Sequence, residues 1–132
     1  MAQQQGSSST SGGRLDGSLQ HTALTIASFA FGAGWGDGTL VKTLTTGSTD
    51  QRGQFTVQSV GSNQAQATAT VVLTFADGAY ASAPFGFVTT SNDNSLDTGH
   101  VTVSCTTTAM TITFLVTPVN TKIYTFNYLV VA

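Results

Sequence analysis

His100 and Cys105 are the nearest approach to a nucleophile pair in this chain, five residues apart in one strand-like segment. An odd spacing along a strand puts two side chains on opposite faces, so a Cys–His dyad is not expected. Cys105 shares a face with Val101 and Val103 and reads as a buried, inert thiol. His100 sits at the loop–strand junction and reads as exposed, while His21 stands alone. The chain has no Glu, no HExxH and no CxxC, so the common zinc patterns cannot form. The loop Ser91–Gly99 is rich in oxygen ligands, with Asp93 and Asp97 as candidate contacts for a cation. Calcium takes roughly six to eight oxygens, but the glycine and bidentate Glu of an EF-hand loop are missing. Asx-turns explain the same composition, and no metal or cofactor is expected.

Gly32-Ala33-Gly34-Trp35-Gly36-Asp37-Gly38 is the most unusual local sequence. It lacks the Lys-Ser/Thr end of a phosphate loop and the spacing of a dinucleotide fingerprint. Alternate glycines allow positive φ and close backbone approach. Trp35, the only tryptophan, has two readings. It stacks on a sugar or anchors in a partner's pocket, or it folds back to cap the core. Asp37 and Tyr80 are the polar and aromatic candidates that would accompany a ligand-contacting Trp35. No carboxylate pair suggests glycoside hydrolysis, and no nucleophile elbow is present. An enzyme is not expected.

The elements that would position these residues come from an unusual composition. Only 8% of the 132 residues are charged, against roughly 25% in an ordinary soluble domain. Thr, Ser, Gln and Asn replace the charges. Surface charge normally keeps a folded domain soluble and monomeric, so this chain is expected to work packed against copies of itself or a larger assembly. The four cations, Arg14, Lys42, Arg52 and Lys122, are scattered. A nucleic-acid surface needs them clustered, and that class is excluded. The single cysteine precludes an intrachain disulfide. No stretch is long and apolar enough for a membrane span. The first residues lack the features of a signal peptide, so folding in a reducing cytoplasm is expected.

Residues 1–18 form a Gly/Ser-rich arm with too little apolar surface to order itself. It reads as a flexible tail or linker, or as an arm that orders against a neighbour. Residues 19–132 form one domain, large enough to bury roughly two-thirds of its unfolded surface. Here the hydrophobic period is two. Alternation predicts strands at Phe55–Ser59, Ala67–Phe75, Val101–Cys105, Met110–Val116 and Tyr124–Val130, with Thr-rich outer faces. Less regular strands are predicted at Thr22–Phe31, Thr39–Thr45 and Phe85–Thr90. Gly-, Asn- and Asp-rich turns separate them. The class is all-β, an antiparallel sandwich or jelly roll of about eight strands, with the eight Phe supplying much of the core. Two Lys and two Pro give little protection to sheet edges. The last strand is expected to be central in a sheet or buried between subunits.

A longer pattern runs through Thr49-Asp50-Gln51-Arg52-Gly53-Gln54-Phe55-Thr56-Val57 and then Ala69 to Pro84. It closes with Met110–Phe114 and Ile123–Val131. Its most distinctive piece is a strand, Ala76-Asp77-Gly78-Ala79-Tyr80, small residues, Pro84 and a further strand. From about Thr49 onward the chain resembles the small β-sandwich domains of tailed-bacteriophage virions: capsid decoration proteins, head fibres and tail-fibre ends. The resemblance implies a non-enzymatic virion structural protein, commonly trimeric, that binds a capsid, a fibre shaft or a host surface. The alternative it implies is a carbohydrate- or receptor-binding tip module. It carries no catalytic residues to transfer.

Overall fold

A computed structural model describes residues 21–66, 68–92 and 101–132. The arm at 1–18, together with Asp93, Asp97 and His100, lies outside the described residues. Eight strands are present among them: β1 (Phe29–Phe31), β2 (Val41–Leu44), β3 (Arg52–Gln58), β4 (Thr70–Thr74), β5 (Phe85–Thr90), β6 (Val101–Cys105), β7 (Ala109–Phe114) and β8 (Ile123–Val131). They form two four-stranded antiparallel sheets, ordered β1-β4-β7-β6 and β2-β3-β8-β5. The domain is a β-sandwich, as the period-two pattern predicts.

Each predicted strand is found, Phe85–Thr90 and Val101–Cys105 at the predicted bounds and the others with altered ends. The first is shorter than Thr22–Phe31, because Ile26–Ser28 turns as a 3₁₀ segment before β1. At the end of β7 the chain leaves the sheet, so Val116 is exposed instead of continuing the inward alternation, beside the outward Leu115. β8 is internal, flanked by β3 and β5. Its alternation places Tyr124, Phe126, Tyr128 and Val130 inside and Ile123, Leu129 and Val131 outside.

Aromatic rings run continuously through the core. Phe29 packs on Phe55, Phe55 on Phe126, Phe126 on Phe114 and Phe114 on Trp35, with centroids 4.8–5.5 Å apart. Trp35 also meets Tyr124 at 5.6 Å. Each tilted or edge-on pair adds about 0.5–1.5 kcal/mol beyond its burial. The sheets approach closely where β5 meets β6 and β7. A Cβ on Gly86 would lie 2.8 Å from Met110 Sδ and from Val103 Cγ1. Any side chain there would force those neighbours to shift. Six of the eight Phe serve the core, whereas Phe85 and Phe87 point outward, 72% and 55% exposed. Gly86 and Val88 take the inward positions of β5 because the gap beneath has no room for a ring.

Candidate interaction surface

Trp35 takes the core alternative. It is fully buried, and its Nε1–H donates to the Thr70 carbonyl at 3.1 Å. The glycine-rich segment around it makes its close approach to the protein's own backbone. A side chain at Gly34 would strike the Ala65, Thr68 and Ala69 backbone, and Gly36, at φ +113°, lies against the Val60 carbonyl. Buried Ser59 donates from Oγ to the Trp35 carbonyl at 2.8 Å and locks the segment down. A sugar platform at Trp35 is therefore not formed.

Asp37 is exposed, but its carboxylate closes a loop. It accepts the Ser62 N–H at 2.8 Å and the Asn63 amide at 2.7 Å. Tyr80 is half-buried, edge-on to Phe75 at 4.9 Å, and burial followed by the Asp50 charge pushes its hydroxyl pKa up. Trp35, Asp37 and Tyr80 are thus dispersed into three structural roles. Cys105 faces inward with Val101 and Val103 but is only half-buried, and burial raises its thiol pKa. A raised pKa leaves little thiolate at neutral pH.

The polar group that sequence reasoning missed is Asp50. It is 1% exposed, and its two oxygens accept the backbone N–H groups of Ala76 at 2.8 Å and Asp77 at 2.7 Å. Asp77 in turn accepts from the Thr22 N–H at 2.9 Å and contacts His21 Nδ1 at 2.8 Å. Hydrogen bonds from the Thr22 hydroxyl and backbone, with His21 behind them, hold the Asp77 carboxyl below its ordinary range. Beside Asp50, the Tyr128 hydroxyl donates to the Thr49 carbonyl at 2.6 Å, and burial drives its pKa upward. This network pins the Ala76–Tyr80 segment to the β2–β3 turn. Only the Ser-Thr-Asp turn composition around Asp50 hinted at it.

The surface carries the more unusual geometry. On the outer face of β2-β3-β8-β5, strand register sets Phe85 opposite Val131 and Phe87 opposite Leu129. All four are exposed, at 44% or more. Beyond them the face turns polar but stays uncharged. Gln54 donates to Asn127 Oδ1 at 3.0 Å, Asn127 reaches Thr89 Oγ1 at 3.5 Å, and Thr56 pairs with Thr125 at 3.2 Å. Arg52, paired across from Leu129, is the one charged side chain among the outward positions of the four strands. An open depression of about 430 Å³ lies beside it, lined by Gln51, Arg52 and Leu129–Ala132. A second apolar group, Val41, Leu115, Val116, Val119 and Ile123, is also exposed. Val41 and Ile123 flank Gln58 at the far end of the same sheet.

Among the described residues no group of three or more His, Cys, Asp or Glu could hold a metal ion. No helix among them is long and apolar enough to cross a membrane. Comparison of the chain with protein-family models, with curated proteins and with solved structures finds no match.

Proposed function

We propose that this chain is a non-enzymatic structural subunit of a tailed-phage virion, a β-sandwich that associates with copies of itself and attaches to a larger particle as a decoration or fibre component. The trimer and the particle are those the sequence resemblance implies. The observation that carries the reading is the surface. Among the described residues nine large apolar side chains are exposed, and the charges that would normally keep such a surface solvated are nearly absent. Thr-, Gln- and Asn-rich faces can pack on a neighbour without desolvating ions. A receptor-binding tip module loses its main support, because Trp35 is buried.

Sedimentation of the full chain at micromolar concentration, with and without purified phage capsids, tests the proposal. The expected result is an oligomer that co-sediments with capsids. A stable monomer with no affinity for them would sink it.

A further inference from the structure

We infer that the outer face of β5 and β8 is where copies of this chain meet, with Phe85 and Phe87 seated beside a symmetry axis against the same residues of a second copy. The inference rests on the self-association proposed above and names its surface. Its apolar centre is contiguous by register, with Phe85 beside Val131 and Phe87 beside Leu129. Exposures of 72%, 55%, 47% and 44% for Phe85, Phe87, Leu129 and Val131 leave roughly 400 Å² of apolar surface uncovered, taking about 200 Å² for a whole aromatic side chain. A specific interface takes about 800 Å² from each partner and is a little over half apolar. The patch therefore supplies about the apolar share one such interface needs. The polar rim of Thr89, Asn127 and Gln54 borders it on the same face.

A second copy fits this face better than a foreign protein. The face carries one charge, Arg52 across from Leu129 at the border of the patch, so a symmetry mate brings only that like pair near the contact, whereas a foreign surface of ordinary charge would bury several ions of which Arg52 could pair at most an acidic one. The backbone adds to the match. β5 ends its sheet, with no strand on its other side among the described residues. The Ser91 N–H donates to the Thr125 carbonyl at 2.9 Å, which fixes the phase of the β5–β8 ladder. Phe85, Phe87 and Thr89 turn their backbone groups to β8, and Gly86, Val88 and Thr90 turn theirs away. No Lys lies in β5, and Pro84 stops just short of it, so the usual guards of an edge are missing from the strand itself.

The test uses the full chain in analytical ultracentrifugation at micromolar concentration, with circular dichroism to confirm folding. Phe87→Lys is expected to weaken association by roughly thirtyfold or more, the effect of losing one interface hot spot, and to yield the 13.6 kDa monomer. Val41→Lys, at the other end of the same sheet, should leave association unchanged. Should Phe87→Lys fail to fold, Phe87→Cys in a Cys105→Ser background decides the matter, and mild oxidation should trap a disulfide-linked pair. A wild-type oligomer that survives Phe87→Lys, or a folded Phe87→Cys chain that forms no link, overturns this surface while self-association stands. A wild-type chain that is monomeric yet binds capsids overturns it and leaves attachment standing. A monomer without capsid affinity removes both readings.

Discussion

Replacing Asp50 tests the linkage between the β2–β3 turn and the Ala76–Tyr80 segment. The carboxylate is buried, and each oxygen takes one backbone N–H, at 2.8 and 2.7 Å. Hydrogen bonds to a charged group contribute about 1.5–3 kcal/mol each. Asp50→Ala removes both and leaves two donors without their acceptor, for an expected loss of about 3–5 kcal/mol. Asp50→Asn keeps one oxygen but turns an NH₂ group toward the other N–H, so its expected cost is about 2–3 kcal/mol. For a domain of this size each kcal/mol lowers Tm by about 4 °C. Thermal and urea unfolding at pH 7 should therefore place Asp50→Ala about 12–20 °C below the parent and Asp50→Asn between them. Amide exchange at Ala76 and Asp77 should accelerate in both. A loss under about 1 kcal/mol for Asp50→Ala would show that the two bonds do not hold the segment, and the reasoning would be wrong.

Trp35→Ala should cost about 3–5 kcal/mol, the usual loss for truncating a buried aromatic. An unchanged Tm would mean that the ring is not in the core. Gly86→Ala places a methyl 2.8 Å from Met110 Sδ and 2.9 Å from Cys105 Sγ. Overpacking at that corner is expected to cost about 1–3 kcal/mol, measured as a lower urea midpoint at constant m; equal stability would show that the sheets can part there. Because the Asp77 pKa is held down in the folded state, its contribution is full above about pH 3.9, the ordinary aspartate value. It is lost as pH falls through the lower folded value. A Tm-against-pH series should therefore fall less steeply below pH 4 for Asp77→Asn than for the parent, and parallel curves would exclude Asp77 as a source of the acid sensitivity.

The ambiguous residues in the sequence were those whose neighbours are distant along the chain. Trp35 had two readings because a Gly-rich loop can present a ring to solvent or fold it inward. Its burial depends on Phe114 and Tyr124, both far along the chain. Asp50 looked like one more turn residue because the N–H groups it accepts lie 26 and 27 positions away. The strand Phe85–Thr90 is legible in the sequence, but its irregular alternation leaves open which face carries Phe85 and Phe87. Their outward position follows from the narrow space over Met110, Val103 and Cys105, where a Cβ at position 86 already comes within 2.8–2.9 Å of all three side chains.

By itself the sequence determined the all-β class and the existence of every strand, because a period of two and Thr-rich alternation are local properties that the backbone must obey. It also determined a surface nearly free of charge, since composition alone fixes that. Tertiary structure decided which face of β5 turns inward, where the sandwich ends leave apolar side chains exposed, and which carboxylate is buried. Those choices depend on the volume left between two sheets and on hydrogen bonds between distant segments. In β5, Phe and Gly alternate, and hydrophobicity alone favours putting the rings inside. The packing of the opposite sheet puts them outside.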